Sequence, residues 1–279
     1  MKYLEFIAAA LREDVGAGDY STLAAIASDA KGKAVLLLKE PGVLAGMEVA
    51  KNIFEYLEPE AVFTPLKKDG DRMEIGDRAF EVEAKIHTIL TGERLVLNCM
   101  QRMSGIATLT ATYVKLLEGY KTKILDTRKT TPLFRQMEKD AVLIGGGSNH
   151  RMGLYDMIML KDNHIDFCGG IAAAIAKTKE YLAANNLDLP IEVETRKIAD
   201  VRQVLKEGGV HRIMFDNFDA DAVGRAVMLI DGRYETEASG GINKDTIQSY
   251  AAAGVDFISV GALIHQAVSL DMSLKAQVS

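Results

Sequence analysis

Only two cysteines occur in 279 residues, Cys99 and Cys168, and they form neither a CxxC pair nor a spacing that a metal would need. That excludes a disulfide-stapled scaffold and a zinc module. Free buried thiols in a reducing cytoplasm are the expectation. Long apolar runs are missing too: no window approaches the ~18 consecutive apolar residues of a membrane span, so no membrane partner is expected. The opening MKYLEFIAAALREDVG is broken by Glu5 and by Arg12-Glu13-Asp14, which predicts an amphipathic helix rather than a signal peptide. Positive charge is outnumbered as well, 33 Lys/Arg against 39 Asp/Glu. A formal net charge of −6 argues against nucleic acid as a partner of the whole surface.

What is present is an ordinary globular composition, 48% hydrophobic and 26% charged, in a chain long enough for one large or two modest domains. Within this acidic chain lies a basic island. Residues 121–165 carry eight Lys/Arg against five Asp/Glu, with His150 and His164 in addition. Such an island suggests a local anion site.

From about residue 121 short β-rich runs alternate with stretches of helical period, the pattern of parallel βα units. The runs are TKILDT, AVLIGGG, YDMIMLKDN, LPIEVET, VHRIMFDN, RYETEASGG and VDFISVGAL. Helical patterns such as IADVRQVLKEGG and NKDTIQSYAAAG separate them, each closed by glycine. Seven strands predict a closed or nearly closed α/β barrel, with a doubly wound sheet as the alternative. In either fold the C-terminal strand ends carry the active site. Each run delivers a polar cluster there: Asp126 to Lys129, Gly145 to Arg151, Lys161 to His164, Glu192 to Thr195, Asp216-Asn217, Ser239 to Gly241 and Gly261-Ala262. The first hundred residues lack this period and predict a separate α+β domain. It contains a helix over about 3–14, strands at AVLLLKE and RAFEVEAKIH, and a long helix from about Gly92.

Arg94, Arg128, Lys129, Arg151 and Lys161, with His150, supply a surplus of donors for an anion. Arginine pairs carboxylates and phosphates bidentately, and lysine adds a compact charge. Singly, each reads as a surface residue; four of them at strand ends read as a site. Glu194 and Asp216 end the next two strands. They can hold Mg²⁺ on a phosphate, stabilise a developing cation, or pair with the neighbouring bases. His87 and His211 read as structural. ASGGI and VGAL place glycines where backbone N–H groups can approach a phosphate.

EDVGAGDYST (13–22), GERLVLNCMQRMSGIAT (92–108), DTRKTTP, GGGSNHRMGLYD, LKDNHI, FDNF, ASGGI and SVGALIHQAVSLDMSL together resemble the quinolinate phosphoribosyltransferases along essentially the whole chain. The resemblance implies an N-terminal α+β sandwich over 1–104, packed with the tail 267–279, and an incomplete, about seven-stranded α/β barrel over 105–266. It implies phosphoribosyl transfer from phosphoribosyl pyrophosphate to quinolinate with decarboxylation, a reaction that needs no nucleophile–base pair, and the sequence shows none. Thr127, Arg128, His150, Arg151 and Lys161 would hold quinolinate, joined by Arg94 from the partner subunit of a homodimer or higher assembly. Lys129, Glu194 and Asp216 would serve the ribose pyrophosphate, the two acids with Mg²⁺ directly or through water. Ser239, Gly240, Gly241, Gly261 and His265 would surround the 5′-phosphate. Two positions depart from the family pattern: Leu133 stands where glycine usually follows TTP, and Asp140 where an aromatic or Lys-like residue follows EK. The other readings are a relative with a different acceptor, a Schiff-base lyase or aldolase barrel using Lys161, and a non-catalytic phosphate-binding homologue.

Overall fold

The computed structural model describes residues 3–277, so the outermost positions assigned above, 1–2 and 278–279, lie outside the described residues. In chain order the first part forms α1 (Leu4–Val15), α2 (Tyr20–Ala25), β1 (Lys31–Leu38), β2 (Gly42–Val43), α3 (Met47–Leu57), β3 (Val62–Pro65), β4 (Arg72–Met73), β5 (Arg78–Lys85) and α4 (Ile86–Leu116). There follow β6 (Lys123–Leu125), α5 (Arg135–Ile144), β7 (Ile158–Leu160), α6 (Asp162–Cys168), α7 (Ile171–Ala184), β8 (Ile191–Thr195) and α8 (Ile198–Glu207). The chain ends with β9 (Arg212–Asp216), α9 (Ala220–Ile230), β10 (Glu235–Ser239), α10 (Ile247–Ala252), β11 (Phe257–Ser259), α11 (Ala262–His265) and β12 (Met272–Gln277). These elements divide into two compact units. One comprises Met1–Ala111, Thr130–Gly146 and Leu263–Ser279, the other Thr112–Lys129 and Gly147–Ala262.

The first unit is built on a four-stranded antiparallel sheet in the order β12-β1-β5-β3. Strand β1 is Val- and Leu-rich, pairing with β12 from Lys33↔Gln277 to Leu38↔Met272 and with β5 on its other edge. Phe54 of α3 packs with Phe63 and Phe80 of the sheet, ring centroids 4.5–6.5 Å apart. Phe54 and Phe80 are fully buried, each worth about 1.5–3 kcal/mol of transfer free energy.

Helix α5 also belongs to this unit. AVLIGGG, expected above to be a strand, is instead the end of α5 followed by a glycine turn. Its apolar run is too short for period alone to decide. The preceding RQMEKD supplies a helical face, with Met137 buried and Ala141 and Val142 buried about one turn further on. Leu133, before this helix, takes φ +63°, a left-handed conformation that glycine adopts most readily, and is 91% exposed. Asp140 accepts the Tyr3 hydroxyl at 2.7 Å and the Gln136 amide at 2.9 Å.

The second unit contains six parallel strands in the order β6-β11-β10-β9-β8-β7. A single parallel bridge, Leu125↔Ser148, lies on the free side of β6 and takes the seventh place. The first strand therefore sits beside the last, and the strands follow chain order around a ring that is open only between Ser148 and β7. A doubly wound sheet would reverse its order at a switch point. This is an incomplete α/β barrel. Strands β8 to β11 start at 191, 212, 235 and 257, and helices between them stop and start as their sequences indicate: Gly208 closes α8 at φ +61°, and the Asp219 side chain opens α9 by accepting the Ala222 amide at 2.7 Å.

Candidate active site

Strand register decides which side chains share the barrel lumen. Glu192 pairs with Arg212 and Glu194 with Met214 across β8–β9, while Glu237 pairs with Met214 and Ser239 with Asp216 across β9–β10. Alternation of two then puts Glu192, Glu194, Arg212, Asp216, Glu237 and Ser239 on one face, and Ile191, Val193, Ile213, Phe215 and Ala238 on the other, under the helices. On the lumenal face Arg212, Glu192 and Glu237 lie deep, and Glu194, Asp216 and Ser239 lie toward the C-terminal mouth.

At the mouth, Glu194 is nearly buried. Burial and the like charge of Asp216 push it above the usual carboxylate range. Lys161 Nζ stands 3.9 Å from Glu194 Oε2, and the Asp162 amide donates to Oε1 at 3.4 Å. Asp216 accepts Asn217 Nδ2 at 2.8 Å, and the Asn217 amide donates to the Ser239 carbonyl at 2.9 Å. Gly240 has φ +99°, and a Cβ there would overlap the side chain and backbone of Asn217. Only glycine fits. Gly241 also has positive φ, with open space where a Cβ would be. Gly261 follows β11, one residue after Val260, whose amide donates to the Leu125 carbonyl.

The basic half comes from the segments after β6 and Ser148. Thr127 Oγ1 accepts the Lys129 amide at 3.1 Å, and Lys129 itself is exposed. Arg128 Nε is buried without a hydrogen-bond partner. Arg151 is 9% exposed, donates from Nη1 to the Met157 carbonyl at 3.1 Å, and is held below its ordinary range by burial and by the charge of Arg128. The charge of Arg128 thus acts on Arg151, an arrangement that an anion would relieve. The structure thus brings Thr127, Arg128, Lys129, His150, Arg151, Lys161, Glu194, Asp216, Ser239, Gly240, Gly241 and Gly261 into one unit. Arg94, exposed on α4, and His265, at the end of α11, belong to the other.

Deeper in the lumen His150 and Glu192 belong to a cluster whose other members, Glu237 and Arg212, sequence reasoning missed. His150 Nε2 is 3.0 Å from Glu192 Oε2 and 3.3 Å from Glu237 Oε2, and both glutamates are fully buried. Arg212 donates from Nη1 to Glu237 at 2.9 Å and from Nε and Nη2 to Glu235, and lies 4.1 Å over the Phe257 ring. Burial and Glu237 push Glu192 up to about 7, whereas Glu237 is drawn below its ordinary range by His150 and Arg212 despite its burial. Burial opposes charge on His150, and the two carboxylates more than offset this, pushing it up to about 9. Against that charge stands the Arg151 amide, which donates to His150 Nδ1 at 2.7 Å. A second ring proton would point at that amide proton, so this contact opposes the charge that the two carboxylates favour. The His150 amide donates to the buried carboxylate of Asp126 at 2.8 Å.

The three carboxylate and imidazole groups His150, Glu192 and Glu237 are close enough together to ligate one metal ion. Arg212 already supplies the cation there. The sequence signal for this cluster was charge at alternate positions inside β-runs, Glu192/Glu194, Arg212 and Glu235/Glu237. His87 and His211 make backbone contacts, at Ile26 O (3.0 Å) and the Ile191 amide (2.9 Å).

Residues 19–104 match the family model described as quinolinate phosphoribosyl transferase, N-terminal domain, and residues 106–275 match that of the C-terminal domain. The chain belongs to the quinolinate phosphoribosyltransferase family. Among relatives of this family, nicotinate-nucleotide pyrophosphorylase (carboxylating), chloroplastic, of Arabidopsis thaliana is 45% identical, covering 95% of this chain and 80% of that one. A probable nicotinate-nucleotide pyrophosphorylase (carboxylating) of Bacillus subtilis is 40% identical, covering 96% and 91%. The crystal structure of NadC from Streptococcus pyogenes is similar with a TM-score of 0.92 at 42% identity, covering 98% of this chain and 95% of that one.

Proposed function

We propose that the protein transfers the phosphoribosyl group of phosphoribosyl pyrophosphate to the ring nitrogen of quinolinate, releasing pyrophosphate and CO₂ and forming nicotinate mononucleotide. The observation that carries this reading is the buried, unpartnered Nε of Arg128 beside a second buried guanidinium, Arg151. An unsatisfied buried donor costs about 1–3 kcal/mol, and a dicarboxylate offsets that cost for both arginines at once. Lys161 adds a third cation. Arg94 would come from the partner subunit of a homodimer.

The pyridine nitrogen is already a nucleophile, so positioning and electrostatics suffice. Lys129, exposed at the end of its loop, is placed to neutralise the leaving pyrophosphate. Glu194 and Asp216 face the ribose and favour the positive charge that develops on it. Ser239, Gly240, Gly241 and Gly261 take the 5′-phosphate; His265 is assigned to it by family resemblance alone. The crowding of Glu194 against Asp216 fits a hard divalent ion, and these two would hold Mg²⁺ directly or through water. Bound there, the ion would supply positive charge against the pyrophosphate. Once the nitrogen is alkylated, the cationic ring stabilises the carbanion left as CO₂ departs, and Arg128 and Arg151 keep the ring in place.

A Schiff-base reading of Lys161 is less well supported. Such a lysine works as a free amine in a dry pocket, whereas Lys161 is half exposed and faces a carboxylate. We also infer a cytoplasmic setting, because both thiols are free and the Cys99 thiol is pushed up to about 12 by burial. The functional test is incubation with quinolinate, phosphoribosyl pyrophosphate and Mg²⁺, followed by detection of nicotinate mononucleotide. Nicotinate, lacking one carboxylate, should be used at least tenfold less efficiently, because each cation left unpaired costs roughly 1–3 kcal/mol. Equal use of both acids would remove the dicarboxylate site.

A further inference from the structure

Three stretches far apart in sequence meet at the Arg102–Glu138 pair, all within the first unit. Arg102 rises from α4, and Glu138 is fully buried on α5. The carboxylate holds the chain just after Lys129: Oε2 accepts the Thr131 amide at 2.8 Å, and Oε1 accepts the Thr131 hydroxyl at 2.9 Å. The guanidinium holds the chain around His265. Its Nη2 donates to the Ile264 carbonyl and its Nη1 to the Ala267 carbonyl, both at 2.8 Å, while Nε and Nη2 donate to Glu138 Oε1. Neither held segment has a regular ladder of its own. Residues 126–131 are irregular, and α11 is a single turn followed by an irregular run to 271. That run lies close against α4, where a Cβ on Gly105 would overlap the Val268 carbonyl and the Leu270 amide donates to the Gln101 carbonyl at 3.1 Å. A buried ion pair is weak evidence of stabilisation, because apolar residues of similar volume commonly serve as well. Apolar residues could not, however, give two irregular segments a common hydrogen-bonding anchor.

We propose that Arg102 and Glu138 act as one positioning pair, which sets the loop carrying Arg128 and Lys129 and the turn carrying His265 from a single point. The proposal rests on the reading in which Lys129 and His265 serve phosphoribosyl pyrophosphate. Neither member of the pair is itself a ligand. They act through Thr131, two residues after Lys129, and through the carbonyls on both sides of His265. A pair that only stabilised the fold would leave the substrate affinity of the folded protein unchanged.

Two measurements test it. The first compares hydrogen exchange in the wild-type protein, in Arg102→Lys and in Glu138→Gln. The lysine keeps the charge but cannot reach the carboxylate and both carbonyls at once, and the glutamine keeps the side-chain shape. In each variant peptides covering 128–134 and 262–268 should both exchange roughly tenfold faster, as local opening of both segments requires, while β9 keeps its wild-type rate. A folded variant that loosens only one of the two segments, or neither, overturns the proposal. The second measurement is a double-mutant cycle on KM for phosphoribosyl pyrophosphate, using Arg102→Lys and Thr131→Val, which removes only the hydroxyl bond to Glu138. Arg102→Lys should raise this KM roughly tenfold, more than it lowers kcat, as loss of a positioned binding group does. The double variant should be no worse than Arg102→Lys, because members of one network do not add. An unchanged KM in Arg102→Lys, or effects that multiply, also overturns it. If Arg102→Lys does not fold, Glu138→Gln takes its place in both measurements. Failure of the wild-type protein to turn over quinolinate and phosphoribosyl pyrophosphate would instead remove the functional reading. Hydrogen exchange would then still decide whether the pair holds both segments.

Discussion

Lys129 and Arg151 both end strand-derived segments of the barrel, yet their surroundings assign them different work. Lys129 is exposed on a loop, whereas Arg151 is buried and fixed by Met157. Lys129→Ala should therefore lower kcat with quinolinate affinity largely kept, and Arg151→Ala should abolish quinolinate binding, both readable by calorimetry beside steady-state kinetics. Loss of binding alone in both variants would void this division. The lumenal cluster has its own signature in stability. His150 rises from 6.5 to about 9, so what it contributes is complete below 6.5 and lost as pH rises through 9. Glu192 rises from 4.5 to about 7, so its contribution is complete below 4.5 and lost as pH rises through 7. Wherever the extra proton resides, the folded chain binds more protons than the unfolded one, and stability falls with rising pH across that span. Urea midpoints should decline accordingly, and the decline should be shallower in Glu192→Gln. A midpoint that rises between neutrality and pH ~9 would contradict the cluster's charge state.

At the scale of elements, α4 and α5 are joined by an ion pair with several duties. Glu138 is fully buried on α5. Its Oε1 accepts Arg102 Nε (3.0 Å), Arg102 Nη2 (2.8 Å) and Thr131 Oγ1 (2.9 Å), and its Oε2 accepts the Thr131 amide (2.8 Å). Arg102 also donates to the carbonyls of Ile264 and Ala267. Arg102→Ala leaves a buried carboxylate uncompensated and should cost about 3–5 kcal/mol, read as a urea midpoint shift; Arg102→Ala with Glu138→Gln should recover part of it. A loss below about 1 kcal/mol would mean that the pair is effectively solvated. Elements differ in how clearly the sequence announced them. Strands β8 to β11 were legible because each is a short β-branched run with a regular step to the next. The strands β2, β3 and β4 were not, since two to four residues show no period. Helix α5 was misread because AVLI suits either element. The strand-end donors were legible as polar tips, whereas Glu237 and Arg212 were hidden because a charge inside a strand ordinarily signals solvent. Here it signals a lumen filled by compensating ions.

At the scale of the whole molecule, the proposed dimer makes a demand on mixtures. If Arg94 serves the partner's barrel, Arg94→Ala and Lys129→Ala should each be nearly inactive alone. A two-fold dimer has equivalent interfaces, so a mixed dimer would hold one doubly damaged site and one intact site, and co-refolding should restore part of the activity. Activity no higher than that of the single variants would place Arg94 in its own chain. The pairing of β12 with β1 has a different consequence, one for synthesis. Six residue pairs join positions 33–38 to 272–277. A chain growing from a ribosome therefore cannot finish its first sheet until residues 272–277 have emerged, and β1 waits with one edge bare while the whole barrel is made. Contacts of such long sequence separation are slow to form, and an unpaired apolar edge invites association. A nonsense codon just ahead of position 272 would thus damage the N-terminal sheet first and leave every barrel strand intact.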